Sequence, residues 1–282
     1  MDITIDGARF YAVEVGAGRG EPLVALHGGP GLDHRELRPY LDPLGDVARV
    51  VYLDQRGQGR SERVAPETCT TDRMIDDVEG LRRHLGAEQV AVLGHSFGGF
   101  IALGYAERYP ERVSRLVLSC TAPSHEMAVE AAANVEQYAT PEQRAALESE
   151  GGMETDEQMR DILRAELPYY FHRYDDSIRA EAERWIDETI YSARMSSWWS
   201  GNEFPHYDLR PGLGRVAAPA LIIAGQHDRV CSLAQAEIMH RGIAGSHLTV
   251  MEYSAHSPYL EEPDAYLWTV RQFLLGQPVG SR

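Results

Sequence analysis

Hydrophobic positions divide the chain into short continuous apolar runs and longer stretches with helical periodicity. Two short β-type runs, Asp2–Ile5 and Ala8–Val15, flank an Asp-Gly dipeptide, which favours a tight hairpin turn. Pro22–Leu26 and residues 47–53 are continuous apolar runs of the kind found in strands buried on both faces. We therefore predict an antiparallel hairpin followed by central parallel strands.

The next part of the chain alternates between helical and strand patterns. Residues 71–85 carry apolar side chains three and four positions apart, and Gly86 supplies a stop, so an amphipathic helix is predicted. Residues 89–93 form a buried strand pattern, 97–109 a helix pattern, and Val113–Ser119 another strand pattern. This alternation predicts an α/β fold with a mostly parallel, doubly wound sheet.

The alternation stops after position 122 and resumes near position 220. Residues 123–212 are rich in Glu, Ala, Met and Arg and have helical character, so we predict a helical cap inserted into the sheet. Ala220–Gly225 and residues 248–253 are predicted to be the last two strands. The 282 residues thus form one catalytic core, 1–122 with 213–282, and one cap.

The amino-acid composition disfavours some classes of binding partner and some cellular locations. The 27 basic and 43 acidic residues give a net charge of −16, which disfavours nucleic acid and anionic membranes. No signal peptide or apolar run long enough to cross a bilayer is present, so a cytoplasmic location is expected. Arg is the only basic residue besides His, which is typical of a GC-rich bacterial genome. The three cysteines are far apart, which predicts reduced thiols and neither disulfides nor a zinc site.

The strongest chemical signal is the pentapeptide Gly94-His95-Ser96-Phe97-Gly98. It follows a buried strand pattern and precedes a helix pattern, which is the context of a serine nucleophile on a sharp strand-to-helix turn. The N-terminus of the helix lies where negative charge would develop during acyl transfer. Ser96 is therefore the predicted nucleophile, and no metal or cofactor is expected.

A serine nucleophile needs a base, and the base needs an orienting carboxylate. In the chain order Ser, acid, His, the acid belongs after the strand that follows the cap, and the histidine after the last strand. Asp228 and His256 occupy these two positions. His227 lies in the loop of the acid, and the side chain of His95 is expected to point away from the turn, so both are assigned supporting roles.

Two backbone N–H groups are needed to hold the oxyanion. Phe97, the residue after the nucleophile, supplies the first. The glycine-rich loop 27–31 supplies the second, from Gly29 or, failing that, from Gly28.

Three motifs together resemble the proline iminopeptidase family of α/β-hydrolases. They are H-G-G-P-G at 27–31, D-Q-R-G-Q-G-R-S at 54–61 and G-H-S-F-G-G at 94–99. The resemblance implies the α/β-hydrolase fold and a serine peptidase that removes an N-terminal residue from a short peptide or amino-acid amide. It also implies that carboxylates bind the free amino group of the substrate.

The resemblance suggests candidate residues for substrate binding. The segment G-N-E-F at 201–204 is similar to a cap segment that carries such a carboxylate, so Glu203 is either an amine anchor or a solvated cap residue. Arg229 follows Asp228 where some relatives have a second carboxylate, and it is expected to weaken ammonium binding. Trp198 and Trp199 either line an apolar substrate pocket or form the core of the cap.

We therefore expect an aminopeptidase or amidase acting on a small molecule or short peptide. Two alternatives remain open: an esterase or lactonase acting on a small natural product, and a non-catalytic receptor that uses the cleft under the cap. The intact set of serine, histidine and aspartate disfavours the receptor, because a binding protein does not need all three groups.

Overall fold

The computed structural model describes residues 1–16 and 20–279 of the chain. Over these residues, eight strands form one sheet in the order β1-β2-β4-β3-β5-β6-β7-β8. The strands are β1 Asp2–Ile5, β2 Ala8–Val15, β3 Pro22–Leu26, β4 Arg49–Leu53, β5 Val90–His95, β6 Val113–Ser119, β7 Ala220–Gly225 and β8 His247–Met251.

The sheet is mostly parallel, as the sequence predicts. β1 pairs with β2, and β2 with β4, in antiparallel fashion, whereas every later pair from β4 to β8 is parallel. Leu26 at the end of β3 lies opposite Gly94 near the end of β5. Since both strands run the same way, the loops that follow them meet at one edge of the sheet.

Helices cover both faces of the sheet. α1, α2 and α8 pack on one face and α10 on the other, so the apolar strands are buried on both sides. The helices are α1 Thr71–His84, α2 Phe97–Arg108, α3 Met127–Tyr138, α4 Pro141–Ser149, α5 Asp156–Glu166, α6 Asp176–Glu188, α7 Ala193–Asn202, α8 Leu233–Gly242, α9 Pro258–Glu261 and α10 Pro263–Leu274. No helix in the described part of the chain is both long and apolar enough to span a bilayer.

The chain between β6 and β7 is helical and includes α3 to α7. Specific hydrogen bonds join this region to the rest of the molecule. The Arg63 guanidinium donates to the Tyr191 carbonyl at 2.6 Å, and the Ile190 N–H donates to the Asp33 carboxylate at 3.0 Å. The Tyr207 hydroxyl donates to the Ala122 carbonyl at 2.9 Å. These contacts hold the helices over the edge of the sheet where β3 and β5 end.

Element boundaries differ from the predicted ones by a few residues. The strand predicted at 47–53 begins at Arg49, because Asp42–Asp46 forms a 3₁₀ turn that continues into a hydrogen bond from the Val47 N–H to the Leu44 carbonyl. The strand predicted at 248–253 is His247–Met251, since the chain turns away from the sheet after Met251.

Candidate active site

Ser96 lies on the turn between β5 and α2. Its φ of 50° and ψ of −119° are unusual for a residue with a side chain. The Ser96 N–H donates to the Ser119 carbonyl at 3.0 Å, and the Ser96 carbonyl accepts from the Gly99 N–H and the Thr121 hydroxyl, both at 2.8 Å. These bonds fix the turn on both sides, and Ser96 lines the cavity described below.

His256 and Asp228 form a buried pair. His256 Nδ1 lies 2.8 Å from Asp228 Oδ2, and the other carboxylate oxygen accepts from the Val230 and Cys231 N–H groups at 2.9 and 3.0 Å. Burial lowers the pKa of His256, but the charge and hydrogen bond of Asp228, together with the charges of Glu36 and Glu261, outweigh burial, so the pKa lies above its ordinary value. The arrangement holds an imidazole in a fixed orientation at the cavity wall.

The glycine-rich loop after β3 is fixed by two buried side chains. The Gly28 N–H donates to the Glu36 carboxylate, and the Gly31 N–H donates to Gln58 Oε1 at 2.6 Å. Gly29 between them has φ of 115°, a conformation that favours glycine, and it lines the cavity. Within the described ranges its N–H has no protein acceptor. The loop therefore presents Gly29 rather than Gly28 to the cavity.

The second expected donor, Phe97, is the first residue of α2. N–H groups in the first turn of a helix have no partner within the helix. The Phe97 ring is buried edge-on against Trp199, with centroids 4.8 Å apart. This packing holds the start of α2 beside the nucleophile.

A cavity of about 520 Å³ lies between the cap helices and the edge of the sheet. Its size is that of a site for a small-molecule ligand. Ser96, Gly29 and His256 line one side of it, and three carboxyl groups, of Glu36, Glu150 and Glu166, also face it. Most of the remaining lining is apolar and includes Leu32, Phe100, Met127, Val135, Met153, Met159, Ile162, Leu163, Leu167, Trp185 and Phe204.

Glu150 and Glu166 form a carboxyl pair in the cap. The two side chains are in hydrogen-bonding contact, and the Tyr170 hydroxyl donates to Glu166 Oε2 at 3.2 Å. Burial, together with the neighbouring Glu150, raises the pKa of Glu166 well above its ordinary value. Burial also raises the pKa of Glu150. The pair therefore holds a proton under conditions where isolated carboxyls are ionised.

In the sequence these carboxyl groups resemble surface glutamates. Glu36 lies in a polar stretch after the glycine loop, and Glu150 and Glu166 lie among many cap glutamates. Tertiary packing buries Glu36 and Glu166, and a pattern in one chain does not report such packing.

Glu203 and Trp198 lie elsewhere than the substrate-binding hypothesis requires. The Glu203 carboxylate accepts the Thr71 N–H at 2.8 Å, so it binds the N-terminus of α1 and is not part of the cavity lining. Helix N-termini attract carboxylates through their free N–H groups and dipole, which explains this position. Trp198 packs against the main core and is likewise outside the cavity lining.

Trp199 and Arg229 do reach the cavity. Trp199 is 2% exposed and donates from Nε1 to the Thr71 hydroxyl at 3.2 Å. The Arg229 guanidinium lies 5.2 and 5.5 Å from the ring centroids of Tyr138 and Tyr169. These rings and the Tyr169 carbonyl hold the cation at the wall of the cavity.

The remaining motif residues support the site. Asp54 is fully buried and accepts from His34 and from the Arg60 N–H, and Arg56 forms a buried ion pair with Asp77. His227 stacks on His172 with ring centroids 3.7 Å apart, away from the nucleophile loop. Among the residues described, no group of three or more His, Cys, Asp or Glu side chains is arranged to hold a metal ion.

The chain is similar to known proteins over most of its length. A family model described as alpha/beta hydrolase fold matches residues 21–263. Proline iminopeptidase PfmaB from Pestalotiopsis fici is 30% identical over 280 residues, covering 96% of this chain and 98% of that protein. A proline iminopeptidase from Saccharolobus solfataricus is 29% identical, covering 94% and 88%. The structure of an esterase from Exiguobacterium antarcticum superposes with a TM-score of 0.77 at 26% identity, covering 97% and 98%.

Proposed function

Because the chain belongs to the proline iminopeptidase family of α/β-hydrolases, we propose that it cleaves an amide bond of a small substrate through an acyl-enzyme. The proposal rests on one observation: Ser96 and His256 line the same cavity, and His256 is held there by Asp228. A nucleophile, a base and an orienting carboxylate are the groups that serine acyl transfer requires.

In the proposed reaction, Ser96 Oγ attacks the carbonyl carbon while His256 Nε2 takes the hydroxyl proton. Asp228 keeps His256 in the required orientation and stabilises the imidazolium that forms. The N–H groups of Gly29 and Phe97 hold the oxyanion of the tetrahedral intermediate. His256 then donates its proton to the leaving amine, and water releases the acyl group by the reverse sequence.

The carboxyl pair Glu150–Glu166 is the proposed site for the free amino group of the substrate. Glu166 Oε1 is buried, and apart from the proton shared with Glu150 it accepts no hydrogen bond from the described residues. An ammonium group can replace the proton that the pair holds, which leaves the net charge of the site unchanged while both carboxylates contact the cation. Glu150 and Glu166 thus replace Glu203 as the proposed anchor for the substrate amine.

Active-site labelling tests the nucleophile. A fluorophosphonate probe should label the native protein at Ser96 and should not label Ser96→Ala. That variant should also lose about 10⁶-fold in kcat, the loss seen when a serine nucleophile is removed. An unlabelled native protein would indicate a non-catalytic receptor, and near-normal turnover by Ser96→Ala would end the proposal.

A second experiment tests the amine site. Aminoacyl-p-nitroanilides with a free amine should be better substrates than the same compounds with a blocked amine. Glu166→Gln should raise KM for the free-amine substrate by about tenfold, since a charge-assisted hydrogen bond contributes roughly 1.5–3 kcal/mol. Glu203→Gln is the matched control, expected to leave KM unchanged. An increase confined to Glu203→Gln would transfer the role back to that residue.

Ester hydrolysis is a second candidate function. The largely apolar cavity and the Arg229 cation at its wall favour a neutral or anionic substrate over an ammonium, and a related esterase has the same fold. Higher kcat/KM for p-nitrophenyl esters than for every free-amine anilide would favour this function over the first.

A further inference from the structure

Glu36 is a buried carboxyl group next to the oxyanion loop, and it has no role in the proposed reaction as described above. It is 7% exposed and ends the 3₁₀ turn His34–Glu36, directly after the glycine-rich loop. Its Oε2 accepts the Gly28 N–H, while Gln58 holds the Gly31 N–H. The two side chains fix the peptide units 27–28 and 30–31, which flank the Gly29 segment and so limit the direction of the Gly29 N–H.

Several titratable side chains surround Glu36. Its Oε1 lies 3.8 Å from His95 Nε2, and the ring centroids of His95 and His256 are 5.0 Å apart. Asp33, which precedes the turn, acts on Glu36, and the charge of Glu36 acts on Tyr259. Glu261 is a further carboxyl group, and its charge acts on His256. Burial lowers the pKa of His95 well below, and raises that of Tyr259 well above, their ordinary values, so both are neutral near pH 7.

Glu36, Glu261 and His256 therefore change charge near neutral pH, since burial raises the pKa of Glu261 to about 7 as well. Glu36 binds the oxyanion loop at Gly28, whereas Glu261 binds the Ala255 N–H. Burial raises the pKa of Glu36 to about 7, with Asp33 adding to the increase, while the Gly28 N–H and His256 act against it. The charge of Glu36 in turn raises the pKa of His256. The carboxyl thus links the geometry of the oxyanion loop to the charge of the base.

We propose that Glu36 is a positioning residue for the hydrolysis: its carboxyl braces the oxyanion loop through Gly28, and its charge tunes His256. This proposal rests on the proposed triad and adds a control on the pH range of the reaction. His256 must be neutral to accept the Ser96 proton. Because ionised Glu36 stabilises the imidazolium, removing that charge extends activity to lower pH.

The second-order rate of fluorophosphonate labelling, measured from pH 5 to pH 9, tests both roles without a natural substrate. Glu36→Gln keeps an acceptor for the Gly28 N–H but removes the charge. We expect its labelling midpoint about half a pH unit or more below that of the native protein, with a similar plateau. Glu36→Ala removes the brace, so its plateau should fall about tenfold or more through weaker oxyanion stabilisation.

Glu107→Gln is the matched control. Glu107 on α2 is also a buried carboxyl group whose pKa burial raises to about 7, but it pairs with Arg215 and is outside the cavity lining. Its variant should keep the native midpoint and plateau. An unshifted midpoint in Glu36→Gln would overturn the charge role, and a native plateau in Glu36→Ala would overturn the brace.

NMR titration of the His256 ring measures the coupling directly. In the native protein, the His256 signal should show a second inflection near pH 7 from the ionisation of the neighbouring carboxyl groups, and Glu36→Gln should diminish it. A single inflection in the native protein, or a second inflection that Glu36→Gln leaves unchanged, would overturn the coupling. Failure of the native protein to react with the probe would instead count against the proposed triad, so the two failures are distinguishable.

Discussion

At the scale of the residue, His256 is under opposing influences. Burial disfavours the imidazolium, whereas Asp228 favours it through its charge and a 2.8 Å contact. The Asp228 carboxylate is itself fixed by two backbone N–H groups, so it cannot turn away from the histidine. The balance leaves His256 more basic than a free histidine, and activity should decline as the pH falls below this raised pKa.

Asp228→Asn tests this balance. The amide removes the charge and leaves the imidazole free to adopt the wrong tautomer, so kcat should fall by about 10⁴-fold, as in other serine triads. The acid limb of the residual activity should move to lower pH, because the main group that raises the pKa of His256 is gone. Asp72→Asn, at an exposed carboxylate bound to Arg108, is the control and should leave the pH profile unchanged. An unshifted acid limb in Asp228→Asn would contradict the assignment.

Individual residues differed in how far the sequence could place them. The proposed triad follows from local context, because each member comes directly after a strand whose apolar pattern is clear. Glu203 could not be placed, since its partner Thr71 lies 132 positions away in the chain. Glu36 and Glu166 resemble surface glutamates in the sequence. Only the packing of α5 and of the loop after β3 makes them buried groups of the cavity.

At the scale of the element, the end of β7 packs against the loop that carries His256. A Cβ atom on Gly225 would lie 1.9 Å from the Ala255 carbonyl oxygen and 2.8 Å from the Ser254 carbonyl oxygen. The absence of a side chain therefore allows the loops after β7 and β8 to approach. This close approach is what brings Asp228 and His256 within hydrogen-bonding distance.

Gly225→Ala should consequently reduce both stability and reactivity. Forcing a methyl group into this contact should lower the free energy of unfolding by about 1–3 kcal/mol. The displaced loop should also slow fluorophosphonate labelling, because His256 moves away from Asp228. Urea unfolding and labelling rates measure the two effects. Gly201→Ala in α7 is the control: no atom would contact its Cβ, and the substitution should be neutral or stabilising. Equal behaviour of the two variants would contradict the packing argument.

The type of most helices and strands can be predicted from the spacing of apolar residues and the length of each apolar run. Mostly buried, mostly apolar runs of five to seven residues define β3 to β7, because parallel strands covered on both faces leave few polar positions. The start of β4 does not follow from the apolar pattern, since the 3₁₀ turn at Asp42–Asp46 depends on packing of Leu44 against the sheet. The cap was predicted only as helical, because its cavity forms between helices that are remote in sequence.

At the scale of the whole molecule, the net charge of −16 produces a negative long-range field around the protein. Such a field raises the local concentration of cationic substrates and repels anionic ones. The effect is long-range, so salt screens it over about 10 Å at roughly 0.1 M ionic strength. It is therefore separable from the direct contacts that Glu150 and Glu166 are proposed to make.

Ionic strength should distinguish substrates by their charge. For a free-amine anilide, kcat/KM should fall several-fold between about 0.01 M and 0.5 M salt, because screening removes electrostatic attraction during encounter. The blocked, neutral anilide is the matched control and should change little. Glu166→Gln should weaken binding of the free amine at every salt concentration. It should leave most of the salt dependence in place, because it removes only one of the many charges of the protein. Parallel salt curves for the free and blocked substrates would show that the field of the protein plays no part in substrate capture.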